Sequence, residues 1–353
     1  MARIPQIALL SDGRRLHLQD GPIDLVVEAT GAEAAVQAAY AAAARRFTGL
    51  LDQLCDELPA LRAPARPGRS PLQGPIARRM HDAVAPYAAE TFITPMAAVA
   101  GAVAEAVLAA MVAAAPLDRA YVNNGGDIAL HLAPGEHFTI GLVDRPDKPG
   151  LFGTTALAAE DALHGIATSG WRGRSFSLGI ADAVTVLAVG AADADAAATV
   201  IANAVDLPGH PAILRQPARD LQPDSDLGDR PVTRGVGPLH PAEIDAALEA
   251  GAAVAEDLVA RGLIRAAALH LAGETRTVGL GSETHPTESP LPSREGARGR
   301  GLSIEERRRD DSETVRQSDS ITMDRSYVTN PLPLPPSREG REDKIKLPRK
   351  HGA

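Results

Sequence analysis

The string Asn123-Asn124-Gly125-Gly126-Asp127 sets two amides, two glycines and a carboxylate in a row between apolar runs. Paired glycines let a backbone bend sharply and approach a ligand, while the Asn side chains and Asp127 can hydrogen-bond the turn or a ligand group. A plain glycine-rich hairpin turn uses the same residues. A second string, Ile166-Ala167-Thr168-Ser169-Gly170, places two hydroxyls and a glycine after an apolar stretch, which suits a phosphate cradle or a turn cap. Arg172 and Arg174 follow it; guanidinium groups hold phosphate bidentately or stand as solvated loop charges. Asp182 then opens the run Asp182-Ala183-Val184-Thr185-Val186. Further on, Asp195 and Thr199 are four residues apart and share one helix face, where hard oxygen ligands suit Mg²⁺ beside a phosphate. Asp193 and Asp195 equally suit a helix N-terminus with no metal. Asp224-Ser225-Asp226-Leu227-Gly228 reads as a metal-binding or an Asx turn.

Several elements must position these groups. An apolar run over 23–29 predicts a strand, and Thr30 with Glu33 has capping-box spacing. The helix that follows carries Val36, Tyr40, Ala43, Phe47, Leu50, Leu54 and Leu58 on one face. A second helix is expected over 76–83. An Ala-rich helix runs from Met96 to Ala115, with Thr94 and Pro95 as N-cap and first residue and Pro116 as its stop. Strands are expected at 120–122 and 128–132, either side of the double glycine. Pro134-Gly135 signals a hairpin into 138–143. Strands at 165–168 and 176–189, a helix over 193–205, an amphipathic helix over 242–261 and a strand over 266–271 complete the reading. Hairpins mixed with long helices predict an α+β fold with mixed or antiparallel sheets. No Gly-x-Gly-x-x-Gly fingerprint follows a strand and no Gly-Lys-Ser/Thr loop is present, so Rossmann and P-loop readings have no support.

Composition narrows the partners. The 353 residues are 44% hydrophobic but only 3% aromatic, with a net charge of −9, so neither base stacking nor a basic phosphate-binding surface is expected. The reading is therefore no nucleic acid, with a small molecule as partner. The Ala-rich helix approaches the roughly 20 residues needed to cross a bilayer, but Glu105 sits in it and no aromatic belt flanks it. It reads as a buried central helix, not a membrane span. The apolar stretch at 7–10 is too short for a signal peptide, so a cytoplasmic location is expected. The single cysteine, Cys55, excludes an intrachain disulfide and reads as a helix-packing thiol beside Asp56 and Glu57. From about Gly281 onward Pro, Ser, Arg and Glu replace apolar periodicity, and Pro290–Gly296 recurs nearly unchanged within Leu334–Gly340. Such a composition predicts a disordered low-complexity tail.

Four strings in order, Phe92–Gly101, Val122–Ile128, Ile166–Gly170 and Gly179–Ala188, resemble the UPF0280 family. That family is similar in fold to the ApbE-like FAD:protein FMN transferases. The resemblance covers about Arg15 to Leu280. It implies an ApbE-like, T-fold-related domain over 1–280, with 281–353 as the tail. It further implies FAD or FMN as ligand, Mg²⁺ as cofactor, and a target protein whose threonine hydroxyl receives FMN as AMP leaves; some members only hydrolyse FAD. By the same resemblance, Asn123, Asn124, Gly125, Gly126, Asp127, Thr168, Ser169, Gly170, Arg172 and Asp182 would face the nucleotide. Asp195 and Thr199 match the Asp and Thr that hold the metal. The implied chemistry is in-line attack on the FAD pyrophosphate with Mg²⁺ balancing the developing charge. Two positions depart from the transferase pattern. Ala100-Gly101 stands where that group carries Lys-Gly, and Trp171–Thr185 contains no counterpart of its His. Glu105 stands in place of an acidic residue further along that helix. The alternative is a nucleotide- or cofactor-binding protein without transferase chemistry, or a subunit that uses the Ala-rich helix in a homodimer.

Overall fold

The computed structural model describes residues 4–143 and 151–279, together with the short strand Ser320–Thr322. In chain order the first elements are β1 (Gln6–Leu9), β2 (Leu16–Asp20), β3 (Ile23–Thr30), α1 (Glu33–Phe47), α2 (Leu50–Asp56), α3 (Leu58–Leu61), α4 (Pro75–Val84) and α5 (Val99–Ala114). Then come β4 (Arg119–Asn124), β5 (Asp127–Leu132), β6 (His137–Val143), β7 (Leu151–Ala158), β8 (Gly165–Ser169), β9 (Ala183–Ala188) and α6 (Ala191–Ala204). The remainder is β10 (Ile213–Pro217), α7 (Ala218–Leu221), β11 (Pro231–Val236), α8 (Pro241–Ala260), β12 (Ala266–Leu271), β13 (Glu274–Val278) and β14 (Ser320–Thr322).

Among the described residues, nine strands form one sheet in the order β1-β2-β3-β4-β5-β8-β9-β12-β13, every neighbouring pair antiparallel. The central strands are buried on both faces, and side chains alternate between two cores as a period of two requires. Val122, Ala129, Ala167, Val184 and Val186 face the helices, while Tyr121, Ile128, Leu130, Ile166 and Leu187 face the β6–β7 hairpin through Phe138, Ile140 and Leu157. The architecture is α+β with antiparallel sheets and long helices, as the sequence predicts.

Helix α5 is internal to this arrangement. It lies against α1, α6, β4 and β5, and buries Ala102, Val103, Val107, Leu108 and Met111. Close approach to α6 is possible because position 101 is glycine: a β-carbon there would lie 2.2 Å from the carbonyl oxygen of Ala191. With the turn before it, the segment Pro95–Ala114 is long and apolar enough to cross a bilayer by length and composition, and in this fold α5 buries one side of it in the core.

Several local expectations are corrected. Thr30 ends β3 and caps nothing; α1 begins after Ala32, and the Thr30 hydroxyl donates to the Arg119 carbonyl oxygen at 3.4 Å. The expected single helix through Leu58 breaks at Gly49, whose φ of 74° lies in the left-handed region, and continues as α2 and α3. Pro134-Gly135 makes no hairpin. Both edges of β5 are already taken by β4 and β8, so the turn sends the chain to the second sheet, where β6 pairs with β7. The expected strand at 176–189 is confined to β9, because the chain from Phe176 to Asp182 forms a loop. Thr94 does not cap: its hydroxyl donates to Asp226 at 2.5 Å, and a 3-10 turn over Pro95–Ala98 precedes α5. Cys55 is exposed, since α2 buries Leu50, Leu51 and Leu54 and turns the next residue outward. The expected tail lies outside the described residues except for β14, which pairs in parallel with β6.

Candidate functional site

The register of β4 with β5 opposes Asn124 to Asp127 and leaves Gly125 and Gly126 as a two-residue loop. Their φ angles, 69° and 113°, are both positive, the conformation that matches the twist of a tight hairpin and that only glycine adopts without strain. Asn123 Oδ1 accepts from the Gly126 amide at 2.8 Å, so this side chain holds the turn itself. Buried Asn124 donates from Nδ2 to the Ala100 carbonyl oxygen at 3.1 Å, docking the hairpin tip onto the first turn of α5.

Asp127 joins the two glycine-containing strings. The backbone ladder between β5 and β8 pairs Ile128 with Ile166, and beyond it Asp127 Oδ1 accepts from the Thr168 amide at 3.3 Å. Across the next strand pair the Thr168 and Thr185 hydroxyls lie 3.0 Å apart. Thr168 and Ser169 thus end β8 beside the double-glycine tip, partly exposed, followed by the buried Gly170.

Beneath the tip, two helices exchange caps. Neither α5 nor α6 has a capping side chain at its own N-terminus. The donors left over in each first turn are taken by the other helix. Asp195 of α6 accepts from the Gly101 amide of α5 at 3.0 Å and from that of Ala100. Glu105 of α5 accepts from the Ala192 amide of α6 at 2.9 Å. Burial and the Asp127 carboxylate push the Asp195 carboxyl well above its usual range, and the two amides only partly offset this. Burial and the neighbouring Asp127 thus both disfavour the ionised form of Asp195.

Glu105, the lone charge in the Ala-rich helix, is neutralised by a residue sequence reasoning missed. Arg79 of α4 donates from Nε and Nη2 to Glu105 at 2.7 and 3.0 Å, and from Nη1 and Nη2 to Asp193 at 2.9 and 2.6 Å. These paired forks are the strong form of a charged hydrogen bond. A carboxylate inside an apolar helix signals that some counter-ion exists, but its spacing says nothing of which one.

Arg172 and Asp182 form a separate unit. Asp182 is buried, and its two oxygens accept from Trp171 Nε1 at 3.1 Å, Arg172 Nε at 2.5 Å and the Ala272 amide at 2.7 Å. The Arg172 guanidinium lies 4.4 Å from the centre of the Trp171 ring. These contacts fix the loop after Gly170 to the β12–β13 turn. Arg174, further along that loop, reaches the double-glycine tip instead: a β-carbon on Gly125 would lie 2.4 Å from its Nη2.

Of the remaining candidates, Thr199 lies one turn beyond Asp195 on α6 and is partly exposed. Asp224 pairs with Arg62 and Asp226 with Thr94, so these two carboxylates serve separate contacts. His270 is buried and bonded through Nδ1 to Thr275 at 2.8 Å, a core role. A cavity of about 480 Å³ lies among Tyr87, Val200, Asn203, Val254, Leu258 and Arg261, and contains none of the motif residues.

As a metal site the residues fit Mg²⁺ only partly. Asp127, Asp195 and the Thr199 hydroxyl are hard oxygen donors, and a cation between the two carboxylates would relieve their repulsion. Among the described residues no group of three or more His, Cys, Asp and Glu is placed to hold a metal. Mg²⁺ commonly uses one or two carboxylates and completes its shell with water and substrate phosphate.

Comparison with known proteins locates the chain. The family model described as "AbpE bacteria" matches residues 7–277. A UPF0280 protein of Methanopyrus kandleri is 36% identical over 181 residues, covering 51% of this chain and 69% of that one. A UPF0280 protein of Methanosphaerula palustris is 38% identical over 147 residues, covering 38% of this chain and 55% of that one. The apo crystal structure of the flavinyl transferase ApbE of Pseudomonas stutzeri overlaps 78% of this chain and 94% of its own, with a TM-score of 0.38 and 12% identity. With a match across nearly all of the described residues, the chain belongs to the AbpE bacteria family and, by its likeness to the Methanopyrus protein, to UPF0280.

Proposed function

We propose that the chain binds a flavin nucleotide, FAD foremost, where the β4–β5 tip, the end of β8 and the first turns of α5 and α6 meet. The observation that carries this reading is the Asp127–Thr168 hydrogen bond, which brings the two glycine-containing strings into one cluster. Family membership and the ApbE-like motifs supply the ligand class. The hydroxyls of Thr168 and Ser169 would receive phosphate oxygens at the end of β8. Asp127, Asp195 and Thr199 would hold Mg²⁺, which when bound supplies charge neutralisation at the pyrophosphate. The chain's own part is to fix the nucleotide against a rigid tip and to keep Asp195 beside the phosphates through its hold on α5. On this reading attack on the FAD pyrophosphate by a target threonine hydroxyl gives FMN on the threonine and AMP, and attack by water gives free FMN and AMP.

A specific observation favours binding without turnover. Asp195 already accepts two α5 amides and Glu105 is neutralised by Arg79, while Ala100 stands where the transferases have Lys. One experiment separates the readings. FAD with Mg²⁺ is added to the purified protein, binding is followed by calorimetry and AMP by chromatography. Binding with AMP release that is lost in Asp195→Ala establishes the enzyme; binding without AMP establishes the holder; no binding of FAD or FMN overturns both.

A further inference from the structure

The two arginines after Gly170 look equivalent in sequence, but the structure separates them. Arg172 is committed: its Nε is held by buried Asp182 and its guanidinium covers the Trp171 ring. Arg174 is exposed and, among the described residues, has no hydrogen-bond or ion-pair partner. Its guanidinium nevertheless lies over the double-glycine tip, in space that any β-carbon at position 125 would enter, 2.4 Å from Nη2 and 3.2 Å from Cζ. The loop that presents it is anchored at its base. The Trp171 amide donates to the Ala181 carbonyl oxygen at 3.0 Å and the Gly173 amide to that of Gly170 at 3.1 Å, while Asp182 grips both side chains between.

An exposed cation on an anchored loop, with no partner among the described residues, lies against a hairpin tip beside the Thr168 and Ser169 hydroxyls and is placed to take an anion. We propose that Arg174 is the residue that grips the diphosphate of the bound nucleotide, and that Arg172 serves only to position the loop. The ligand class rests on the flavin-nucleotide reading; the choice of arginine rests on the geometry alone. Gly125 is then required twice, for the turn and for leaving the guanidinium its place. Arg174 is a ligand-binding residue, and Asp182 with Trp171 and Arg172 hold it in position.

The test compares the full-length protein with Arg174→Ala and Arg174→Lys by calorimetry, using FAD, riboflavin and inorganic pyrophosphate as probes. A charge-assisted fork is lost in Arg174→Ala, so FAD affinity should fall about tenfold or more, with riboflavin binding unchanged because it carries no phosphate. Arg174→Lys should recover part of the loss, since it keeps the charge without the fork. Thermal midpoints should match the unsubstituted protein, because the side chain has no partner to lose among the described residues. Unchanged FAD affinity in Arg174→Ala overturns the inference and leaves the flavin reading standing. Pyrophosphate binding that is lost in Arg174→Ala, in a protein that never binds FAD, supports the inference and overturns the flavin reading. A protein that binds neither FAD nor pyrophosphate overturns both.

Discussion

Replacing Arg79 by methionine leaves Glu105 and Asp193 facing each other without the cation that holds them. The guanidinium makes two hydrogen bonds to each carboxylate. The side chains of Arg79, Glu105 and Asp193 are 31%, 23% and 34% exposed, so solvent screens the network in part. Removing one partner of a fully buried pair costs about 3–5 kcal/mol, and an exposed pair is worth about 0–1 kcal/mol. Between these limits, Arg79→Met should cost about 2–3 kcal/mol. For a domain of this size that lowers the melting midpoint by about 3–6 °C. Calorimetric and urea unfolding measure it, and 1 M salt should narrow the difference by screening the two carboxylates left behind. The double variant Arg79→Met with Glu105→Gln should regain part of the loss, because one stranded charge is gone. A midpoint within about 1 °C of the parent, or a double variant no better than Arg79→Met, would refute the idea that this network holds the starts of α5 and α6 together.

Other expectations follow from the same site. Asp195 has a folded-state pKa above its unfolded value, owing to burial and to Asp127, so its contribution is fully present below the ordinary carboxylate range and is lost as pH rises through the raised value. Asp195→Asn keeps an acceptor for the α5 amides and should flatten that decline, visible as a smaller fall in urea midpoint between acid and neutral pH; parallel curves would contradict the sign. Gly101→Ala drives a β-carbon onto the Ala191 carbonyl and should cost about 1–3 kcal/mol in denaturant unfolding. A neutral result there would mean that α5 and α6 can separate freely. Gly125→Ala forces a left-handed alanine, about 1 kcal/mol, and should weaken FAD binding as Arg174→Ala does, by moving the same guanidinium.

Elements whose information is local were legible in the sequence. The strand at 266–271 and the helices over 76–83 and 242–261 fall within a residue or two of β12, α4 and α8, because periodicity and Pro at the helix starts reside in the segment itself. The strands beside the double glycine were found for the same reason. Capping was misread, since Thr30 and Thr94 carry the right spacing while the donors of α5 and α6 are met from another helix. Local sequence cannot encode a partner 94 positions away. Pro134-Gly135 failed because a turn specifies a change of direction and not which strand comes next. Edge strands β1 and β13 were missed: one is exposed along its whole length and the other is mostly polar, so neither shows apolar alternation. The equivalence of Arg172 and Arg174 was resolved only by Asp182 and Gly125, which fold against one of them each.

The exchanged caps have a mechanical consequence. A cation that draws the amide-bound oxygen of Asp195 toward itself would loosen its hold on the Ala100 and Gly101 amides, and the hairpin tip hangs from that same turn through Asn124. Occupancy at one helix would thus be felt as fraying of another, and amide hydrogen exchange at Ala100 and Gly101 would report loading without reference to turnover. If Asp195 takes up a cation as proposed, the pair of helix starts would act as an interlock, in which filling one position releases a catch on the next.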